Sequence, residues 1–242
     1  MMKDQTCLDR YSITFLTVFP KKKERIAFFL RMSPITSRIF TRNIMGPVPV
    51  LITPDRPRGI RQQFVAMDCE MVGTGPRGCH SALARVSLVD YDGRCFFDTF
   101  VQVDEEITDY RTHVSGISPQ DLNSSRAITF DQCRKRVQTL IVNKVLVGHG
   151  LNNDLYVLRI HHPWYNIRDT TMYQPYMKHD KFGRLCPSRL RDLALQHLGL
   201  KIQQQGNAHN PKEDAAAAMA LYRKAQGEWD FAMDCKRRKS VL

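Results

Sequence analysis

The chain has 242 residues, 43% apolar and 25% charged, which excludes a disordered, collagen-like or low-complexity protein and fits one folded unit plus an appendage. Its 36 Lys and Arg against 24 Asp and Glu leave a net charge of +12, a field that draws polyanions. Seven cysteines, odd in number and without a Cys-x-x-Cys pair, argue against a disulfide framework and for reduced thiols inside a cell.

In chain order, residues 1–60 hold 11 basic and 4 acidic side chains, so much of the excess charge sits in a leader. The apolar run Ile13 to Phe19 is stopped by Pro20 and three lysines, well short of the ~18 residues a membrane span needs, and no membrane partner is expected. From Arg25 to Pro54 the only charges are Arg25, Arg31, Arg38 and Arg42, a faintly transit-like composition that starts late in the chain. Pro47, Pro49, Pro54 and Pro57 then break regular structure. Residues 1–61 therefore read as a basic, poorly structured leader with a Pro-rich linker.

Past the linker, Phe64 to Val72 reads as a buried strand carrying Asp68 and Glu70. Arg85–Tyr91, Asp92-Gly93 and Cys95–Val101 predict a hairpin closed by a two-residue turn. Phe130–Val142 has helical spacing, Lys144–Gly148 is a short apolar strand, and Asn152–Ile160 predicts a helix capped by Asn152 or Asn153. Arg189–Leu198 predicts an amphipathic helix ended by Gly199. Asn210-Pro211 opens a last helix to about Trp229, with proline at its first position. A hairpin followed by alternating helices and strands makes a mixed-sheet α/β domain.

Three segments place acids where burial is costly. Asp68 and Glu70 are two apart on a strand and share a face, so a cation or an Arg or Lys partner must neutralise them. Asp154 falls in the first helical turn after Gly148-His149-Gly150, at a strand's C-terminal end, where α/β sheets place ligands and where the helix dipole alone also favours an acid. His149 there reads as a satisfied loop histidine. In His209-Asn210-Pro211-Lys212-Glu213-Asp214, Asp214 shares a face with Ala218, Leu221 and Tyr222, while Glu213 faces solvent. Oxygen ligands select hard cations, Mg²⁺ or Mn²⁺, and carboxylates holding two of them ~3.5–4 Å apart are the apparatus of phosphodiester cleavage.

Met67-Asp68-Cys69-Glu70-Met71-Val72-Gly73, Val147 through Asp154 and His209 through Asp214 together resemble the DEDDh 3′-to-5′ exonucleases of the ribonuclease H-like fold. Asp109-Tyr110-Arg111-Thr112, Val114-Ser115-Gly116-Ile117, Ile167-Arg168-Asp169-Thr170 and Gly199-Leu200-Lys201-Ile202-Gln203-Gln204 are similar to the RNA exonuclease 4 branch, near the interferon-stimulated and apoptosis-enhancing exonucleases. The resemblance spans residues 62–230, the exonuclease domain, and leaves 231–242 as a basic tail. It implies a ribonuclease H-like mixed sheet, with an antiparallel hairpin and then parallel strands, flanked by helices. It also implies two Mg²⁺ (or Mn²⁺) held by Asp68, Glu70, Asp154 and Asp214. His209 would be the general base, in a loop able to swing over the scissile phosphate. The implied substrate is single-stranded RNA, with DNA an alternative, cut from its 3′ end to nucleoside 5′-monophosphates. The implied setting is ribosomal RNA processing in the nucleus or nucleolus, with mitochondrion or cytoplasm as alternatives.

Met71 reads either as a wedge for the terminal base or as core filler, and Arg111 either as a ribose or phosphate contact or as an ion-pair partner of Asp109. Lys236-Arg237-Arg238-Lys239 reads as a solvated tail, a nuclear address or a nucleic-acid patch. Gly73-Thr74-Gly75-Pro76-Arg77-Gly78 spells the dinucleotide-site pattern, but Pro76 interrupts it and a hairpin follows, so no dinucleotide cofactor is expected. A nucleic-acid-binding module without turnover is the remaining alternative; four acids near a phosphate would repel it unless cations are bound. The oligomeric state is not legible.

Overall fold

A computed structural model describes residues 58–61 and 63–240; the leader to residue 57 lies outside the described residues. Within the predicted linker, Arg58–Arg61 forms a single helical turn, α1. The sheet follows, with β1 (Phe64–Thr74), β2 (His80–Val89), β3 (Cys95–Phe100) and the short β4 (Ile107–Asp109). Two short helical turns, α2 (Thr112–Ser115) and α3 (Pro119–Leu122), lead into α4 (Phe130–Ile141). Then come β5 (Val145–Gly148), α5 (Leu151–Leu158), β6 (Ile167–Asp169), a small ribbon of β7 (Met177–His179) and β8 (Leu185–Pro187), α6 (Leu190–Leu193) and α7 (Pro211–Lys239).

The main sheet runs β3-β2-β1-β5-β6, with β4 also pairing with β1. The first three strands are antiparallel, and β1, β5 and β6 are parallel, as the mixed-sheet expectation required. Helices cover both faces. Phe64, Ala66 and Val147 pack under α6 and α7, against Leu193, Ala215, Ala218 and Tyr222. Val65, Met67 and Leu146 face α4 and α5 through Val137, Ile141, Leu151 and Leu158. The odd and even residues of β1 thus feed two different cores, the period-2 alternation of a strand buried on both sides.

Three elements depart from expectation. The β2–β3 connection is a three-residue loop. Asp90 N–H donates to Arg94 O at 2.9 Å, Gly93 N–H donates to Asp90 O at 3.0 Å, and Gly93 has φ 82°. That is a type I turn followed by a left-handed bulge residue, and the Asp90 carboxylate reinforces it by accepting from the Asp92 and Arg94 amides at 2.9 Å. The Arg189–Leu198 helix starts at Leu190 and widens into a π-turn over Ala194–Leu198, which sets His197 against the Tyr176 ring, 4.7 Å between centroids. Finally α7 passes Trp229 and runs to Lys239, so the residues expected as a tail after 230 are largely helical. None of the described helices is long and apolar enough to cross a membrane.

Candidate active site

The site forms where β1 loses a neighbour. β5 pairs with Phe64–Ala66 and β4 with Gly73–Thr74, leaving the β1 edge between them open. Gly148 ends β5 tightly, since a Cβ there would lie 3.0 Å from Met67 O and 2.4 Å from Leu151 Cδ2. The chain turns through Gly150 into α5, and Asp154 fills the gap: its Oδ1 accepts the Cys69 amide at 3.0 Å.

Asp68 and Glu70 lie on the β1 face covered by α7, and Asp214 comes down on them from that helix. Pro211 sets the helix start and the Asn210 carboxamide caps it, accepting from the Lys212 amide at 3.3 Å. Asp214 is buried with Ala218, Leu221 and Tyr222, and Glu213 is exposed, as the helical spacing predicts. Glu70, His209 and Asp214 each offer a ligand atom within 4.8 Å of the others. His209 Nδ1 lies 3.8 Å from Asp214 Oδ2, and the His209 amide donates to Val114 O at 2.7 Å, tying the loop to α2.

Four carboxyls held this closely resist ionisation. Burial, then the charges of Asp154, Asp214 and Glu70, raise Asp68 well above the usual carboxylate range, although its edge reaches solvent. Burial and the neighbouring Asp214 push Glu70 up to about 8, with Arg85 pulling the other way. Asp154 is pushed up to about 7, chiefly by burial and against the Cys69 hydrogen bonds. Burial raises Asp214 too, opposed by a hydrogen bond from Gln203 and by His209. Asp214 Oδ1 is buried and, among the described residues, accepts no hydrogen bond. An orphaned buried carboxylate oxygen among carboxyls of raised pKa is the donor set a hard divalent cation fits.

The structure also shows supporting residues that spacing did not reveal. Gln203, at φ 49°, donates from Nε2 to Asp214 Oδ2 at 2.8 Å. Asp169, at the end of β6, accepts the Gly150 and Leu151 amides at 2.9 and 2.8 Å; it caps α5 in place of the predicted Asn152 or Asn153. Behind Glu70 stands Arg85, its cross-strand partner, held by Asp98, which also binds Lys212 Nζ at 2.8 Å. The family-like phrase Ile167-Arg168-Asp169-Thr170 was the available signal for Asp169; the other pairings join distant segments.

Met71 is half-buried and lines a groove of about 790 Å³ together with Thr74, His80, Phe130, Asn153 and Tyr156. Two of its lining residues, Met71 and Asn153, are the chain neighbours of Glu70 and Asp154. Arg111 does not line it. Its guanidinium donates to Ser81 Oγ at 3.0 Å and Gly78 O at 2.8 Å, bracing the groove wall, and only its backbone amide meets Asp109. His149 Nδ1 is 2.7 Å from Thr170 Oγ1, the satisfied loop histidine expected. A second hollow of about 350 Å³ joins His209 to Arg189, Arg191 and Gln203. The glycines at the end of β1 and just after it serve a close turn into β2: a Cβ at Gly73 would lie 2.8 Å from Gly78 Cα.

The RNase_T exonuclease family matches residues 65–222. RNA exonuclease 4 of Mycosarcoma maydis is 46% identical over 69% of this chain and 43% of its own length, and human RNA exonuclease 4 is 43% identical over 76% and 42%. Human apoptosis-enhancing nuclease is 42% identical over 82% of the chain and 57% of its own length. The chain spans less than half the length of the RNA exonuclease 4 relatives from these two organisms. Among solved structures, the Saccharomyces cerevisiae Pan2 pseudoubiquitin hydrolase-RNA exonuclease module in complex with A7 RNA aligns with TM-score 0.60 and 34% identity, over 74% of this chain and 31% of that one. The Neurospora crassa Pan2 catalytic unit aligns with TM-score 0.59 and 28% identity, over 79% and 31%. With four acids and a histidine gathered at the open edge of β1, and the family matched from the first residues of β1 to Tyr222, the chain belongs to the RNase_T exonuclease family of ribonuclease H-like fold.

Proposed function

We propose that this protein is a 3′-to-5′ exoribonuclease that removes nucleoside 5′-monophosphates from single-stranded RNA. The observation that carries the reading is the convergence of Asp68, Glu70, Asp154 and Asp214 beside His209. Asp68, Glu70 and Asp214 would hold one Mg²⁺ or Mn²⁺, and Asp68 with Asp154 a second. Bound there, the cations supply charge neutralisation for the scissile phosphate and acidify water. The residues supply the rest. His209 takes the proton as a water oxygen bonds to phosphorus. The P–O3′ bond breaks, the phosphate leaves on the 5′ oxygen of the terminal nucleotide, and the freed 3′ oxygen takes a proton from solvent to become the 3′-hydroxyl of the shortened strand.

The groove beside Met71 has the size and the partly apolar lining to take the terminal nucleoside, and Arg189 and Arg191 beside His209 offer positive charge to the strand's phosphates. RNA rather than DNA is favoured by the names of the relatives and by the RNA-bound Pan2 neighbours. Ribosomal RNA maturation in the nucleus or nucleolus is the setting we assign on resemblance. The test is product analysis on 5′-labelled RNA and matched DNA oligomers with Mg²⁺. Wild type should shorten RNA stepwise from its 3′ end to 5′-monophosphates, Asp214→Asn should not, and His209→Ala should lose ~10²–10⁴ in rate while still binding the cation. Equal shortening by wild type and Asp214→Asn would refute the assignment.

A further inference from the structure

We propose that the basic end of α7 is a second contact for the RNA substrate, gripping the strand on the order of ten nucleotides upstream of the cut. The inference rests on the exoribonuclease reading. Lys236, Arg237, Arg238 and Lys239 follow one another in the last turns of the helix whose first turn carries Asp214. Along one helix axis at ~1.5 Å per residue, Lys236 is about 33 Å from Asp214. At the ~3.4 Å per phosphate of a stacked strand, that span is about ten nucleotides.

The run lies beyond Tyr222, where the family match stops, at the far end of the helix that begins at the acids. It is also built. Lys236 Nζ sits 5.2 Å from the Trp164 ring centre and the Arg237 guanidinium 4.6 Å from the Tyr165 ring, which fixes this end of the helix against the turn before β6. Trp164 remains 42% exposed. Arg238 and Lys239 have no side-chain partner among the described residues and face solvent. After Asp230, which pairs with Arg168, Asp234 is the only acid left on the helix to offset the four cations. Positive charge interleaved with an exposed aromatic ring is the composition of a single-strand platform: charge follows the phosphates, and a ring face accepts any base. The helix dipole also favours cations here, but it would be served by any of them within the last turn, without a four-residue run or an open tryptophan.

The experiment compares the full chain with an Arg238→Gln/Lys239→Gln variant and with the variant carrying all four Gln substitutions. Glutamine keeps helix propensity, and circular dichroism checks that the helix persists. Substrates are a six-nucleotide and a thirty-nucleotide unstructured RNA, in Mg²⁺, across a salt series. For the hexamer, kcat and KM should be unchanged. For the thirty-mer, KM should rise about tenfold, and the slope of log affinity against log salt should fall by ~1.4 for two charges and ~3 for four. Equal effects on both lengths, or none on either, would overturn the proposal; none on either would assign the run to a protein-read address. Should wild type hydrolyse neither RNA, the enzyme reading fails, and fluorescence anisotropy of the same two RNAs still decides whether the patch prefers the longer strand.

Discussion

Asp98 gathers more of the site's supporting structure than any of the acids that would bind cations. It accepts from Arg85 Nε at 2.9 Å and Nη2 at 3.1 Å, from Ser87 Oγ at 2.7 Å, and from Lys212 Nζ at 2.8 Å. Through Arg85 it holds the cation opposite Glu70, and through Lys212 the first turn of α7, two residues before Asp214. Burial alone would raise its pKa, but the hydrogen bonds from Arg85, Lys212 and Ser87 outweigh that and hold it at about 2, against an ordinary 3.8. A depressed carboxyl contributes stability above its unfolded value and loses it as pH falls through the folded one. Asp98 is partly open to solvent, and with the screening that brings the shift is worth ~1 kcal/mol of stability. Asp98→Asn should therefore lower unfolding stability in urea by about that amount at pH 7, with the gap to wild type narrowing as pH drops from 4 toward 2. A gap that stays constant over that range would mean the charge plays no part.

Among the elements, α5 shows most clearly how one segment positions another. It has only eight residues, too few to stand alone, and its N-cap, Gly150, has no side chain to cap with. The Asp169 carboxylate supplies one from 19 and 18 residues away, taking the Gly150 and Leu151 amides, and is itself steadied by the Thr171 hydroxyl at 2.7 Å. Asp169→Ala should cost roughly 1–3 kcal/mol and loosen Asp154, seen as weaker Mn²⁺ binding by calorimetry. Unchanged binding would show that the Cys69 amide suffices to place Asp154. Such a cap could not be read from local sequence, because it joins residues of two elements. What was legible obeyed local rules: Asp68 and Glu70 by strand alternation, and Asp214 by its step from Pro211 and its spacing to Ala218 and Leu221. The length of α7 was hidden because its apolar periodicity fades after Trp229. What carries it on is tertiary: Arg168 pairs with Asp230 at 2.9 Å, and Trp164 and Tyr165 receive Lys236 and Arg237. The β2–β3 loop was misread because Asp-Gly fits a two-residue turn as well as the last two positions of a three-residue one.

For the whole molecule, the gathered acids tie fold stability to pH and to divalent cations together. Glu70 rises to about 8, Asp154 to about 7, and Asp68 and Asp214 are raised, so the cation-free fold prefers these carboxyls protonated. Groups with raised folded values contribute stability below their unfolded values, near 4, and lose it as pH climbs through 7 and 8. The cation-free protein should thus weaken from pH 5 to pH 8. Cations bind the ionised form and displace the protons, so affinity increases over the same interval. At a cation concentration of ~100 Kd the fold gains ~2.7 kcal/mol, or roughly 5–10 °C in Tm for a domain of this size. Thermal unfolding with and without Mn²⁺ should show a larger gain at pH 8 than at pH 6, and Asp214→Asn should flatten the difference. A gain independent of pH would mean the cation binds elsewhere, on acids that are already ionised, and would separate the carboxyl cluster from the chemistry assigned to it.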